Sequence, residues 1–509
     1  TASTITTLPT WQSPTPNPLL LQSFEWHTPA DHAHWRRLTH HLPQLRTLGV
    51  TTLWLPPGCK GMDPNGNGYD IYDLYDLGEF EQKGATRTKF GTRGELETLI
   101  QKARGLGVGV LWDAVLNHRA GADECEEFGA VRVGDSRRDV ETSAAMTIQG
   151  WTRFTFPGRG TTYSAQPYSW EHFSGVDWDQ SRETKAIYKI TGPNKTGWAE
   201  DVGKENGNYD YLMFADVDYS HPDVRRDVLA WGRWITATLG LSGMRLDAAK
   251  HFSMGFQREF VECVRETAGA GKMFVVGEYW SGDVDELVAY LEEMEYGVAA
   301  VDVPLVVKFS QMSRTPGADL RRVFRGTLVE RRPDSALQPG QMLENVVEPA
   351  FKPLAYALIL LRRGGHPCLF YGDLYGIRHG DKPLTPACEG KLPILARARG
   401  LYAYGEQQDY FDQPNCIGFV RYGNAVHPSG LACVLSNGRA AQKRMFVGSN
   451  HAREKWTDVL RPEATAVVID ESGYGVFPVP GMGVSVWVNA SAAGRDSLVA
   501  AFDTNIYQQ

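Results

Sequence analysis

Short apolar segments alternate with amphipathic segments along most of the chain, and this alternation limits the possible folds more than any other feature. Patterns typical of buried strands, such as residues 49–56 and 108–118, alternate with helix patterns such as residues 92–106 and 222–239. Repeated strand–helix units of this kind predict a parallel sheet covered by helices. Because charged groups follow several strands, we expect an α/β protein built as a (β/α)8 TIM barrel, with its functional groups at the carboxyl ends of the strands.

The alternation is interrupted once and is later replaced by another pattern. Between Arg119 and Asp218 the chain is rich in Gly, Asp and aromatic residues and is too long for a loop, so we expect a small inserted domain after the third barrel strand. From about Tyr410 onward, short β patterns predict a C-terminal antiparallel β domain. The predicted units are a barrel at residues 1–118 and 219–409, an inserted domain at 119–218, a C-terminal β-sandwich at 410–489 and a tail at 490–509.

Two of the predicted strands deliver acidic residues. The stretch Gly243–His251 begins as a strand with alternating apolar residues, so Arg245 and Asp247 point to the same face. A guanidinium so close should keep the Asp247 carboxylate ionised, as a carboxylate nucleophile requires. The strand at residues 272–280 ends with Glu278 beside apolar and aromatic residues, where an acid is well placed to donate a proton.

Two carboxylates at neighbouring strand ends, one charged and one able to donate a proton, are the groups that glycoside hydrolysis uses. The plainer alternative is that Asp247 and Glu278 only form ion pairs. For either residue alone the two interpretations are about equally good, but two acids at repeated strand ends favour catalysis.

The composition excludes several other functions. Of the 509 residues, 42% are hydrophobic and 22% are charged, which excludes wholesale disorder. With a net charge of −8 and no basic run, the chain is a poor match for nucleic acid or an anionic membrane. No apolar run reaches transmembrane length, and the seven scattered cysteines show neither a metal-binding spacing nor a disulfide framework.

The location of the protein is indicated only by weaker signs. The sequence starts at Thr1, so we expect that an upstream segment, such as a secretory signal, was removed. Asn194 and Asn489 each begin a glycosylation sequon, a triplet that also arises by chance. Secretion is favoured, and a cytoplasmic location stays open.

Oxygen ligands for a metal occur on both sides of the inserted domain. Asn117 precedes it, and Asp210 and Asp216 lie near its end. Hard oxygen donors suit calcium, which would hold the inserted domain to the barrel. From the spacing alone, however, these side chains are better explained as solvated loop residues.

At these residues the chain resembles the α-amylase family of glycoside hydrolases, most nearly its bacterial liquefying type. The resemblance extends from about Leu19 to Val488 and rests on several separate motifs in the same order. The motifs are GVTTLWLPP at 49–57, DAVLNH at 113–118, LMFAD at 212–216, GMRLDAAKH at 243–251, VGE at 276–278 and GHPCLFYGD at 365–373.

The resemblance implies a role for each matching residue. Asp247 would be the nucleophile, Glu278 the general acid and base, and Arg245 the group that orients the nucleophile. The sugar at the cleavage point would be bound by Asp113 and His118 and stacked on Tyr69. The leaving-group side would be lined by Lys250, His251 and Trp280. One calcium ion would be held by Asn117, Asp210, Asp216 and the backbone carbonyl of His251.

The chain departs from the liquefying enzymes at their second calcium and sodium sites. Where those enzymes have further aspartates, this chain has Ser174, Ala199 and Ser220, and only Asp218 is kept. The loss of three carboxylates removes most of the charge that a second cation needs. We therefore expect one calcium ion rather than a cluster.

A second departure concerns the family's third essential carboxylate, which ends a strand in an Asn-His-Asp type motif before Gln-Pro. Here Gln338 and Pro339 are present, but residues 331–337 contain neither a His–Asp pair nor a strand pattern. Asp334 precedes the expected strand instead of ending it. Since 318–328 and 349–363 have helix patterns, one barrel strand is apparently missing. A barrel closes with a fixed strand number, so the wall would open unless a rerouted 329–347 segment or a partner chain fills it.

Two functions of different classes follow. The first is a calcium-dependent, retaining endo-hydrolase of α-1,4-glucosidic bonds in starch, glycogen or maltooligosaccharides, with Asp247 and Glu278 about 5–5.5 Å apart. The second is a catalytically impaired, amylase-like starch-binding protein, because a lost transition-state contact could lower the rate by orders of magnitude. Transglycosylation and cleavage of α-1,6 bonds also stay open, as does a sequence shortened at an intron boundary. We expect a monomer.

Overall fold

The computed structural model of the chain describes residues 17–269, 271–340, 347–378, 380 and 383–507. Within them, eight parallel strands form a closed barrel in chain order, as predicted. The eighth strand closes the barrel by pairing with the first, with Leu20 opposite Cys368. The barrel strands are Leu20–Gln22, Thr52–Trp54, Gly109–Ala114, Gly243–Leu246, Phe274–Gly277, Ala299–Val301, Ala336–Pro339 and His366–Phe370.

The prediction of a missing barrel strand is wrong, because Ala336–Pro339 forms the seventh strand. Leu337 lies opposite Val301 of the sixth strand and His366 of the eighth, and all four residues of the strand are buried. The strand is short, and a glutamine and a proline make up half of it, so it shows no apolar run. Its place is set by pairing with two neighbours rather than by its own strand preference.

Helices connect the barrel strands and cover the outside of the barrel. The helix Arg93–Gly105 shows why they form where they do: it begins at a capping box between Thr92 and Glu95 and buries Leu96 and Leu99. The helices are His34–Leu48, Arg93–Gly105, Pro222–Leu239, Met254–Ala268, Val284–Glu293, Val303–Arg314, Leu328–Arg331, Lys352–Leu361, Tyr371–Tyr375 and Lys391–Tyr402. The helix predicted at 318–328 is replaced by a short 3-10 turn, Leu320–Arg322.

A six-stranded antiparallel sheet is inserted between the third barrel strand and the helix Pro222–Leu239. Its first and last strands pair with each other, with His118 opposite Asp216. The segment therefore leaves the barrel and returns to it at one place, beside the end of the third barrel strand. The strands are His118–Arg119, Glu124–Arg132, Met146–Arg153, Phe173–Asp179, Thr184–Thr191 and Ala215–Val217.

The C-terminal part forms a six-stranded and a two-stranded sheet around a core that includes Trp456, Phe477 and Trp487. The segment predicted as a tail packs back on the protein, since Leu498 and Ile506 are buried. No helix among the described residues is both long and apolar enough to cross a membrane. The strands are Gln407–Gln413, Cys416–Arg421, Leu431–Ser436, Ala441–Phe446, Lys455–Asp458, Val467–Val468, Tyr474–Val479 and Gly483–Asn489.

Candidate active site

The third, fourth and fifth barrel strands bring the predicted catalytic residues together. Asp113 on the third strand lies directly opposite Arg245 on the fourth. Asp247 and Glu278 are the first residues beyond the ends of the fourth and fifth strands. Because parallel strands in a barrel all end on the same face, these four side chains converge at one place.

The Arg245 guanidinium joins three carboxylates. Its Nη1 atom donates to Asp113 Oδ1 at 2.6 Å and to Asp247 Oδ1 at 2.5 Å, and its Nη2 atom lies 2.6 Å from Glu278 Oε1. The second Glu278 oxygen accepts a hydrogen bond from the Ala248 backbone N–H at 3.1 Å. The side chains of Glu278 and Asp247 are 24% and 11% exposed, whereas that of Asp113 is fully buried, so Glu278 is the most accessible of the three acids.

The charge balance of this cluster differs from the sequence-based expectation. The pKa of Asp247 is raised to about 8. Burial is the largest cause and the charges of Glu278 and Asp113 add to it, while Arg245 acts in the opposite direction. Burial also raises the pKa of Asp113. Arg245 does favour the ionised form of Asp247, as expected, but one guanidinium faces three carboxylates and burial acts in the opposite direction. Near neutral pH the cluster as a whole retains a proton.

Aromatic side chains hold the second oxygen of Asp113. Trp54 Nε1 and the Tyr69 hydroxyl each donate to Asp113 Oδ2 at 3.0 Å. The Tyr69 ring is stacked on Trp26, with ring centroids 5.9 Å apart, and Trp26 is 59% exposed. Asp113 is thus fixed by three donors, and an aromatic surface extends from it to the solvent. A sugar ring stacks well on such a surface.

Two histidines flank the cluster as neutral rings. Burial lowers the pKa of both His118 and His251 to about 4. The His118 Nε2–H donates to the Tyr69 carbonyl at 2.7 Å, and the His251 Nδ1–H donates to the Tyr209 carbonyl at 2.8 Å. Each ring keeps its other nitrogen as an acceptor.

The predicted leaving-group side is also assembled. Lys250 Nζ donates to the Trp280 carbonyl at 2.7 Å and forms an ion pair with Glu205 at 2.6 Å. The Trp280 ring is 40% exposed. Lys250 therefore ties the segment after the fifth strand to the inserted segment that carries Glu205.

The three predicted calcium ligands with side-chain oxygens lie close together. Asn117 Nδ2 donates to Asp216 Oδ1 at 3.3 Å, and Asn117 Oδ1 is buried without a hydrogen-bond partner among the described residues. Burial raises the pKa of Asp210 to about 8, and it also raises the pKa of Asp216, to which the Asp210 charge contributes. In the described part of the chain neither aspartate forms an ion pair. Two buried carboxylates and an unpartnered amide oxygen fit a hard divalent cation.

A lysine supplies positive charge beside this group. Lys195 Nζ pairs with Asp218 at 2.6 Å, and the two side chains are 4% and 7% exposed. Ser220 Oγ donates to the other Asp218 oxygen at 2.5 Å, and Ser174 Oγ donates to Asp216. Asp218 is therefore already neutralised by an ammonium group. Ala199 contributes its backbone N–H, which donates to Asp210 at 2.9 Å.

The end of the seventh strand differs from the ends of the third, fourth and fifth. Gln338 and Pro339 end the strand, and Gly340 follows. Asp334 lies before the strand, at the opposite face of the barrel, and is exposed. From Gly340 back to the start of this strand, the structure offers no carboxylate to the site. Gln341, the next residue, falls outside the described residues.

Comparisons with known proteins agree with this geometry. A model of the α-amylase catalytic domain matches residues 19–314, and a model of the α-amylase C-terminal domain matches residues 431–488. A glucan 1,4-α-maltohexaosidase from Bacillus sp. (strain 707) is 45% identical over 485 residues, covering 93% of this chain and 92% of that protein. The chain belongs to the α-amylase family.

Other α-amylases support the same assignment. The α-amylase of Bacillus licheniformis is 44% identical over 482 residues, covering 93% of each chain, and a cytoplasmic α-amylase of Escherichia coli (strain K12) is 39% identical over 490 residues, covering 93% of this chain and 99% of that one. The crystal structure of a Geobacillus thermoleovorans α-amylase with acarbose shares the fold, with a TM-score of 0.61 at 17% identity and coverage of 94% and 98%. This chain is thus an α-amylase-type glycoside hydrolase.

Two contributors to this α-amylase site escaped the sequence reasoning. Trp54 ends the second barrel strand and donates a hydrogen bond to Asp113. The centroid of its ring lies 5.2 Å from Cζ of Arg245. Its position at a strand end was visible in the GVTTLWLPP motif and could have identified it. Glu205, which pairs with Lys250, had no such signal, because it lies in an irregular part of the inserted segment.

Proposed function

We propose that the protein is a retaining endo-hydrolase of α-1,4-glucosidic bonds in starch, glycogen and maltooligosaccharides. The observation that carries this proposal is the contact of one guanidinium with both Asp247 and Glu278, at 2.5 and 2.6 Å. Two carboxylates on the two nitrogens of one guanidinium fit the separation of about 5–5.5 Å that a retaining glycosidase needs; an inverting enzyme holds them about 6.5–9.5 Å apart, and the product configuration distinguishes the two. The relative from Bacillus sp. (strain 707) is a glucan 1,4-α-maltohexaosidase, which supports the substrate class.

In the proposed reaction an oxygen of Asp247 attacks the anomeric carbon while the bond from that carbon to the leaving oxygen breaks. Glu278 gives its proton to the leaving oxygen, and a covalent glycosyl-enzyme forms. Glu278, now a carboxylate, takes a proton from water. The water oxygen attacks the anomeric carbon and releases Asp247. The reaction therefore needs the proton of the cluster on Glu278 and the negative charge on Asp247.

The neighbouring side chains would position the sugars on either side of the broken bond. Asp113, held by Trp54 and Tyr69, would accept hydrogen bonds from the hydroxyls of the sugar at the cleavage point, with the Tyr69 ring under it. His118 would bind the same sugar. Lys250, His251 and Trp280 would contact the sugar on the leaving-group side, where the Trp280 ring offers a partly exposed face.

Calcium would be held by Asn117, Asp210, Asp216 and the backbone carbonyl of His251. The ion would supply the positive charge that the two buried aspartates lack and would fasten the inserted sheet to the barrel. We propose a single site. The ammonium group of Lys195 already neutralises Asp218, and serines or an alanine stand where further carboxylates would be needed for a second cation.

The monomeric state and the location of the protein also stay proposals. We favour secretion on the sequence signs, while the relative from Escherichia coli carries the name of a cytoplasmic enzyme.

The test is the release of products from maltoheptaose with added calcium, beside a Glu278→Gln variant. We expect short maltooligosaccharides whose new reducing ends first appear in the α configuration by proton NMR. In the variant we expect a rate lower by about 10²–10⁴-fold. Products in the β configuration would exclude the retaining mechanism. No turnover, with maltoheptaose still bound, would show a starch-binding protein, a result that the lack of a carboxylate in the described part of the seventh strand's end, through Gly340, would explain.

A further inference from the structure

A cavity of about 690 Å³ lies at the end of the barrel opposite to Asp247 and Glu278. It is lined by residues at the amino ends of the sixth, seventh and eighth strands, among them Ala299, Ser335 and His366. From the other side it is lined by Tyr404 and neighbouring residues that lead into the C-terminal sheets. Because the active-site groups lie at the carboxyl ends of the strands, this cavity is a separate place in the molecule.

The cavity is lined by far more positive than negative charge. Five arginines and only two carboxylates, Asp334 and Glu406, contribute to its wall. Arg363 forms a two-pronged ion pair with Glu406, at 2.7 and 2.9 Å. Arg362 pairs with Asp409 through both terminal nitrogens, at 2.6 and 3.0 Å, whereas Arg363 uses Nη1 for both contacts. The other three arginines are Arg265, Arg399 and Arg421.

These three arginines are buried, between 5% and 7% exposed, and within the described residues none of them pairs with a carboxylate. Arg399 donates to the carbonyls of Pro18 and Leu360, at 2.9 and 2.6 Å. Arg421 donates to the carbonyls of Leu361 and Gly405, both at 3.1 Å. Arg265 likewise donates to backbone carbonyls.

The carbonyls fix the guanidinium groups but do not neutralise them. Leu360 and Leu361 end a helix, so their carbonyl dipoles attract a cation, but each carries only partial charge. Burial and the Arg421 charge together lower the pKa of Arg399 to about 9. Burial lowers the pKa of Arg421 to about 10. The unpaired charge thus costs free energy that a bound anion would recover.

We propose that this cavity binds a small organic phosphate of the size of a sugar phosphate. Guanidinium groups match the oxygens of a phosphate in pairs, and several of them around one cavity select a doubly charged group over a single carboxylate. The volume exceeds what an inorganic ion would fill. The Tyr296 ring in the wall is 38% exposed and offers a flat face to a sugar.

Titration calorimetry of the whole protein, at constant ionic strength, tests this proposal with glucose 6-phosphate, inorganic phosphate and glucose. We expect glucose 6-phosphate to bind more tightly than inorganic phosphate, and glucose not to bind at this site. Saturating maltoheptaose, added to a Glu278→Gln background, should leave the phosphate affinity unchanged, since the two sites lie at opposite ends of the barrel. The measurement needs no turnover, so it stands or falls independently of the hydrolase proposal.

Two variants locate the site. Arg421→Gln removes a buried charge and should weaken binding of glucose 6-phosphate at least tenfold. Arg363→Gln removes a charge whose side chain is 60% exposed, so it should fold normally and weaken binding severalfold even if Arg421→Gln is unstable. Arg321→Gln, an exposed arginine outside the cavity that pairs with Asp319, is the matched control and should bind as the parent does. Equal affinity in the parent and Arg363→Gln, or no binding of any phosphate, would overturn the proposal.

Discussion

The ends of the third, fourth and fifth barrel strands and the end of the seventh strand occupy the same face of one barrel but are built differently. The first group supplies Asp113, Arg245, Asp247 and Glu278, all joined through one guanidinium. The seventh strand ends in Gln338 and Pro339. Both regions are buried and fully paired with neighbouring strands. What separates them is the chemistry of the described side chains at the strand ends.

The barrel is closed by backbone pairing, whereas its candidate active site depends on particular side chains at the strand ends. Backbone pairing on both sides holds a four-residue strand in the wall even when its side chains show no strand pattern. The catalytic groups do not benefit from that tolerance, because each depends on a specific residue at a strand end. The closed barrel therefore does not by itself establish which acids lie at its carboxyl end.

The largest effect should come from the seventh strand itself. Leu337 is 1% exposed and lies in the barrel interior, so Leu337→Ala should lower the free energy of unfolding by about 2–5 kcal/mol. Urea unfolding followed by fluorescence gives this value. Leu337→Met, which keeps the volume, should cost less than about 1.5 kcal/mol. A loss below about 0.5 kcal/mol for the alanine variant would mean that this strand is not part of the wall.

The seventh strand is the part of the barrel that could not be predicted from the sequence. The alternation of strands and helices predicts the barrel, the inserted sheet and the C-terminal sheets, since each leaves a periodic pattern. Ala336–Pro339 leaves none, because four residues cannot show a period and Gln338 and Pro339 oppose a strand assignment. Its pairing with the sixth and eighth strands is a property of the assembled barrel.

Calcium removal should have the next largest effect on stability, and it should act at Asp210 and Asp216. Asp210 and Asp216 are buried without an ion-pair partner in the described structure, so a bound cation should stabilise the folded state. At a calcium concentration of about 100 times the dissociation constant the gain is about 2.7 kcal/mol, and a chelator should reverse it. Thermal unfolding with calcium and with chelator measures the difference.

The control for this prediction is a pair of asparagine variants. Asn117→Ala removes the unpartnered amide oxygen and should lose most of the calcium response, whereas Asn450→Ala, at an exposed position in the C-terminal part, should keep it. An equal calcium response in both variants would place the ion elsewhere.

The shared proton of the cluster predicts that stability depends on pH, with an effect per pH unit smaller than that of calcium. The pKa of Asp247 in the folded protein, about 8, lies above its unfolded value of about 3.9. Its stabilising contribution is therefore complete below about pH 4 and is lost as the pH rises through 8, because the unfolded chain releases the proton first. The slope is at most about 1.4 kcal/mol per pH unit. Asp247→Asn cannot titrate and should lack it.

The measurement compares the two proteins in urea at pH 5, 7 and 9. The stability of the parent relative to Asp247→Asn should fall between pH 5 and 7 and fall further by pH 9. A constant difference would show that Arg245 keeps Asp247 ionised throughout, as the sequence alone suggests.

The site was predictable to the extent that it depends on residues next to strand ends. Asp113, Arg245, Asp247 and Glu278 follow from strand patterns and the resemblance, and the structure brings them together. The charge state of Asp247 does not follow, because it depends on Asp113 and Glu278, which are remote in sequence. Nor does the pairing of Lys195 with Asp218, which requires the fold of the inserted segment.

The smallest effect should come from Asp334, the acid nearest to the seventh strand in sequence. It is exposed and lies at the strand's amino end, so it cannot reach Asp247 or Glu278 across the filled barrel. Asp334→Asn should change the rate on maltoheptaose by less than about twofold and the stability by about 0.5 kcal/mol or less. A rate loss of orders of magnitude would make Asp334 the third acid and would require the segment around it to reach the other face. A neutral result would exclude Asp334 as the third acid.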